Sequence, residues 1–250
     1  MQKHSVCAAL LAGYVVACSA SAGSLNVAVA SNFTAPMQEI AQAFEKKTGH
    51  SLALSFGSTG KFYAQIRQAA PFDVLFAADD VTPARIGQEG LGVEASRLTY
   101  AIGTLVLWST QPGLADDGPA VLASDRFTRL AIAQPELAPY GAAARQALEH
   151  LGLFAKLKPR LVMGSNISQT YQFVATRNAQ LGFVAMSQVY SEGRLRQGSA
   201  WIVPAAFHQP IRQDAIILTA GQTNPIAVEL MEFMQSARVR QILESYGYQQ

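Results

Sequence analysis

The chain has 250 residues, of which 50% are hydrophobic and 14% charged, with a formal net charge of +2. That composition is ample for a folded core and too apolar for a disordered chain. The charge is small and carries no long run, so it gives no reason to expect nucleic acid or an acidic membrane surface as a partner.

The first residues read as an export signal. Lys3 and His4 precede an apolar run over residues 6–17, long enough for a signal core and too short to span a bilayer. Ala20 and Ala22 stand in the small-x-small arrangement of a cleavage site, which predicts residues 1–22 as a signal peptide and a periplasmic mature chain. Residues 15–18 loosely match a lipobox, so a lipid anchor at Cys18 is the alternative. Cys7 and Cys18 both fall in this segment, which leaves the expected mature chain with no disulfide and no cysteine nucleophile. No later apolar run reaches the roughly 18 residues a membrane helix requires.

Residues 25–30 (LNVAVA) form a valine-rich run expected as a buried strand. Met37, Ile40, Ala41 and Phe44 then recur at helical spacing, with a stop near Thr48 and Gly49. Residues 52–56 read as a second strand, 57–60 as a turn, and Phe62, Ile66 and Ala69 as a second helix, before a third strand at 73–77. This β-α-β-α-β order implies a parallel sheet covered by helices. Residues 101–108 read as one strand, followed by a Gly-, Pro- and Asp-rich loop at 111–119. A second unit follows: strand 130–133, helix 142–151, strand 160–163, helix 167–177 and strand 181–185. A strand at 215–218 and a helix at 225–246 close the chain. The pattern predicts an α/β protein of two lobes, residues 23–102 with 208–250, and residues 103–207 inserted between them. The crossings fall near 98–104 and 205–213.

The turns that follow the strands carry the chemistry. Ser31-Asn32, residues 57–60, residues 138–141 and residues 164–167 each sit at a strand's carboxyl end and lead into a helix, which is where open α/β sheets bind ligands. Helix starts offer unsatisfied N–H donors and about half a positive charge. Several of them converging make an anion site without Lys or Arg. A fully deprotonated oxyanion only accepts hydrogen bonds, so a cage of neutral donors suits it. For any single turn, the plain alternative is that Ser or Asn merely caps its helix; four such turns on one edge point to a site.

The same segments, VAVASNFTAPMQEIAQAFEKKTGH, SFGSTGKFYAQIRQAAPFDVLFAADD, AIAQPELAPYGAAARQALEHLGL and AQLGFV, resemble the periplasmic molybdate-binding proteins of ABC importers. The resemblance covers about residues 25–248. It implies a type II periplasmic-binding-protein fold, two lobes each built on a mixed, mostly parallel sheet flanked by helices, with the ligand in the cleft. It implies a monomer that binds molybdate or tungstate, catalyses nothing, needs no cofactor, and partners a membrane permease. By position, Ser31 and Asn32 match the first oxyanion-binding turn, with side-chain and backbone donors; Ser58 matches the second, and Ile167 a backbone N–H. Tyr140 departs from one branch, which has an alanine there and a tyrosine at the position of Ala185; a second branch supplies the phenol from the Tyr140 position. Thr59 and Asn166 are neighbours of lower rank. A receptor for sulfate or another small anion, or a secreted enzyme on this fold, are the rival readings.

Other signals carry less. The turn at residues 57–60 before Lys61 lacks the spacing of a phosphate loop. His50, His150 and His208 have no partner at metal-ligand spacing and read as surface residues. Asp79 and Asp80 read as caps of a helix beginning near Pro83. There is no nucleophile elbow. Phe33, Phe56, Tyr63 and Trp108 read as core or cleft wall.

Overall fold

A computed structural model describes residues 23–249, so the expected signal peptide and both cysteines lie outside the described residues. The chain opens with strand β1 (Ser24–Ala30), helix α1 (Thr34–Thr48), β2 (Ser51–Gly57), α2 (Thr59–Arg67), β3 (Val74–Phe76), α3 (Val81–Gln88) and β4 (Leu98–Gly103). It continues through β5 (Leu105–Ser109), α4 (Pro119–Ala123), β6 (Leu130–Ala133), α5 (Pro139–His150), α6 (Phe154–Leu157), β7 (Leu161–Gly164), α7 (Ile167–Ala175), β8 (Leu181–Ala185) and α8 (Met186–Val189). A short hairpin of β9 (Tyr190–Ser191) and β10 (Arg194–Leu195) precedes β11 (Ser199–Ile202), β12 (Ile211–Ile217), α9 (Pro225–Phe233) and α10 (Ala237–Ser245).

The first sheet runs β2-β1-β3-β12-β4, with β1 parallel to β2 and β3 and with β12 antiparallel to β3 and β4. The second runs β11-β5-β8-β6-β7, with β6 parallel to β7 and β8 and with β5 antiparallel to β8 and β11. Each central strand is buried on both faces, which is why it reads as an unbroken apolar run. In β1, Leu25, Val27 and Val29 pack with Met37, Ile40 and Phe44 of α1, while Ala28 faces Phe62 and Ile66 of α2. In β8, Leu181 and Phe183 join Ala144 and Leu148 of α5, while Val184 meets Val174 of α7.

Local chemistry sets the helix ends. Gly49 closes α1 with a positive φ of 78°, its N–H donating to the Glu45 carbonyl, and Lys46 and Lys47 lie on the negative end of the helix. Asn166 caps α7 and Asn224 caps α9.

At two breaks the chain differs from the sequence expectation. The run at 101–108 is two strands in two sheets, β4 ending at Gly103 and β5 starting at Leu105. Both pieces are buried, so hydropathy does not register the change of sheet at Thr104. The helix expected over 225–246 is broken after Phe233, and Ser236 restarts it by accepting the Val239 N–H at 3.3 Å. A serine cap inside an apolar periodic stretch is a helix start that periodicity alone overruns.

Candidate functional site

Four strand ends deliver their turns to one place between the sheets. β1 runs into a single 3-10 turn, Ser31–Phe33; β2 runs into Ser58 and α2; β6 leads through residues 134–138 into α5; β7 leads through residues 165–166 into α7. Ser31, Asn32, Ser58, Thr59, Tyr140 and Ile167 all line a small cavity there. Asn166 does not line it. Its Oδ1 instead accepts the Gln169 N–H at 2.9 Å. Thr59 reaches the cavity, but its Oγ1 accepts the Ala78 N–H at 3.0 Å and so ties α2 to the end of β3.

The donors are of different kinds. Ser58 Oγ is buried and has no hydrogen-bond partner among the described residues. It stands at the N-cap position of α2 and makes no side-chain cap bond, so helix capping does not account for it. Leaving a buried hydroxyl unpaired costs about 1–3 kcal/mol, and such a group in a folded protein calls for a reason. Asn32 turns its side chain away: Nδ2 donates to Gln213 Oε1 at 2.8 Å and to Tyr248 Oη at 3.0 Å. The sequence reading gave Asn32 both side-chain and backbone donors. With the amide committed to the interior, the backbone remains for the cavity. Tyr140 and Ile167 sit at the second and first positions of α5 and α7, where backbone N–H groups have no acceptor within the helix.

Among the described residues, no lysine or arginine lines the cavity or the larger cleft that adjoins it through Ala78, Ala138 and Pro139. The positive potential comes from the N-termini of α2, α5 and α7. The cleft carries Asp79, Asp80 and Glu136 on its walls. Asp79 is the capping member of its pair, Oδ1 accepting the Thr82 N–H at 2.7 Å, and burial raises its carboxyl pKa.

The lobes meet across the site. The Gly60 N–H donates to Leu137 O at 3.0 Å, Ser168 Oγ to Ser31 O at 3.2 Å and Ser187 Oγ to Asn32 O at 2.8 Å. A side chain at Gly60 would come within 3.1 Å of the Leu137 backbone, so glycine permits this close approach.

Burial holds the three phenols here in their protonated form: it raises Tyr100 and Tyr140 well above the ordinary phenol value and pushes Tyr248 up to about 12. An acid whose pKa is higher folded than unfolded contributes stability that is present below the unfolded value and lost as pH rises through the folded one. Stability is therefore expected to hold up to about pH 10 and then fall steeply as the unfolded phenols titrate. Tm measured from pH 8 to 11.5 checks this, and replacing Tyr248 with Phe should flatten the fall.

Residues 25–249 match the bacterial extracellular solute-binding protein family. The chain belongs to that family. Among members of known kind, it is 54% identical to the molybdate-binding protein ModA of Azotobacter vinelandii, covering 94% of this chain and 93% of that one. It is 45% identical to the ModA of Rhodobacter capsulatus, covering 93% and 91%. The solved structure of an Azotobacter vinelandii periplasmic molybdate-binding protein aligns with a TM-score of 0.88 and 39% identity, over 90% of this chain and 99% of that one. The two-lobed α/β fold with flanking helices, read from the sequence, is the fold of that structure. Solute-binding family members bind and release, and the chain is a binding protein with no catalytic step.

Sequence reasoning missed Gln213, Tyr248, Ser187 and Gly103, which form the buried floor under Asn32 and Tyr140. One signal was available. β12 begins at Ile211, not at residue 215, and its alternation (Ile211 buried, Arg212 exposed, Gln213 buried) puts an amide in the core.

Proposed function

We propose that the chain captures molybdate between its lobes and delivers it to the membrane permease of an ABC importer. The observation that carries this reading is Ser58 Oγ, a buried hydroxyl that, among the described residues, has no hydrogen-bond partner and no cationic side chain beside it in the cavity lining, set among helix starts. A tetrahedral dianion would accept from Ser58 Oγ and from the backbone N–H groups of Asn32, Ser58, Tyr140 and Ile167, with Ser31 beside them. Being unable to donate, it presents no hydrogen to clash with these donors. The two ModA relatives support molybdate as that anion. Tungstate has the same charge and shape and is expected to bind as well. Sulfate is smaller and would leave some of the donors out of reach.

The test is a thermal scan. At 100 times the dissociation constant a ligand adds about 2.7 kcal/mol, and each kcal/mol is worth about 2–4 °C in a chain of this size. Molybdate and tungstate are each expected to raise Tm by roughly 5–10 °C. A shift with sulfate and none with molybdate would assign the site to sulfate instead.

A further inference from the structure

We propose that Gly60 is a positioning residue for oxyanion capture, its missing side chain being what lets the two lobes close on the cavity. This deepens the molybdate reading and rests on it.

Gly60 is the second residue of α2 in the first lobe, two residues after Ser58. Its N–H donates at 3.0 Å to the carbonyl of Leu137 in the second lobe, three residues before Tyr140. Both partners are backbone groups, so donor and acceptor are fixed. Gly60 and Leu137 line the outer cleft, whereas Ser58, Thr59 and Tyr140 line the inner cavity. The contact therefore stands on the rim where the cavity opens into the cleft.

Nothing in its own helix calls for this glycine. Gly60 lies within α2 and its φ is not positive, so its backbone accepts an L side chain. Alanine is also the better helix former. A Cβ built on Gly60 would meet Leu137 first, at 3.1 Å from Cα, 3.1 Å from O and 3.3 Å from Cδ2. What excludes a side chain is the opposite lobe.

Both sides of the contact are braced. The Leu137 and Ala138 N–H groups donate to Gln134 O at 3.1 and 2.9 Å, and the Gln134 N–H donates to Gly164 O at 2.8 Å. Pro135 and Pro139 bracket the turn and fix φ there. Across the cleft, Thr59 Oγ1 accepts the Ala78 N–H at 3.0 Å, and the Phe62 N–H donates to Ser58 O at 3.1 Å. A methyl group at residue 60 is then accommodated by moving the lobes apart as rigid bodies. That movement carries the start of α2 away from the start of α5, and so parts two walls of the cavity. In the separated lobes the methyl no longer meets Leu137. The substitution therefore acts on capture and leaves folding alone.

Calorimetric titration of the full mature chain with sodium molybdate tests this, together with thermal scans in the absence of ligand. Gly60→Ala is expected to weaken binding about tenfold, as overpacking confined to the closed lobes. Its Tm without ligand is expected to stay level or rise slightly. A merely structural glycine would show the reverse, a lowered ligand-free Tm. Affinity within twofold of wild type would overturn the proposal. A clear fall in the ligand-free Tm, or loss of the cooperative transition, would overturn it too, because the glycine would then serve the fold of its own lobe. Wild-type protein that binds no molybdate would sink the ligand assignment, a result distinct from a wild type that binds and a Gly60→Ala variant that binds equally well.

Discussion

Ser58→Ala is expected to weaken molybdate binding by about 1–3 kcal/mol, roughly 5- to 150-fold, without lowering the stability of the ligand-free protein. The two halves of this expectation come from one fact. A buried serine normally bonds something, so truncating it breaks a contact and costs stability. Ser58 Oγ bonds nothing among the described residues, so truncation removes an unsatisfied group and relieves its desolvation. Tm without ligand should stay level or rise slightly, while the ligand-induced rise in Tm shrinks. Scans with and without molybdate, together with a titration, separate these effects. A variant with lowered Tm and unchanged affinity would make Ser58 a structural residue and take away the central observation for the site.

Much of this site was legible from residue order because local chemistry builds it. The turns at Ser31, Ser58, Tyr140 and Ile167 each follow a valine-, leucine- or alanine-rich strand, two of them central and buried (β1, β6) and two at sheet edges (β2, β7). Parallel strands place successive carboxyl ends on one edge, so the four turns converge as a consequence of topology. What was not legible is non-local. Asn32 meets Gln213 across 181 residues and Tyr248 across 216, and Ser187 reaches Asn32 O across 155. No periodicity carries such pairings. They decide whether the Asn32 amide faces the cavity or the floor, which residue order alone does not determine. A crossing is expected near 98–104, but the run at 101–108 reads as one strand for a related reason: two strands of different sheets, both apolar, abut with a single residue between them.

The same network explains how closure and recognition are joined. Asn32 O accepts from Ser187 Oγ of the second sheet's unit, and Ser31 O accepts from Ser168 Oγ of α7. The turn that presents Ser31 and Asn32 to the cavity is therefore held from both lobes. Opening the lobes releases the turn's acceptors as well as separating the donors, so capture and closure are expected to be cooperative.

Gly103→Ala is expected to give the largest combined loss. Added as a Cβ, the methyl would lie 2.1 Å from Tyr140 Oη, 2.9 Å from Tyr140 Cζ and 2.6 Å from Gln213 Nε2. Real Cβ atoms do not approach other heavy atoms that closely, so something must move. Tyr140 is 1% exposed and Gln213 is fully buried, so neither has an outward escape. One outcome is displacement of β4, whose partner β12 carries Gln213 and whose next residue is the crossing at Thr104. The other is displacement of the Tyr140 ring toward the cavity, which takes up the space of the anion. Overpacking of this kind costs about 1–3 kcal/mol, or roughly 2–12 °C in Tm at 2–4 °C per kcal/mol. Affinity should fall further than in Ser58→Ala, because both the phenol and the room for the ligand are disturbed. Pairing Gly103→Ala with Tyr140→Phe sharpens the expectation. Removing the phenol oxygen deletes the closest clash, so the double variant should recover part of the lost Tm while regaining none of the hydrogen bond. Recovery of stability without recovery of affinity would locate the strain at the Tyr140 hydroxyl; a Gly103→Ala protein with wild-type Tm and affinity would show that the phenol does not occupy that position.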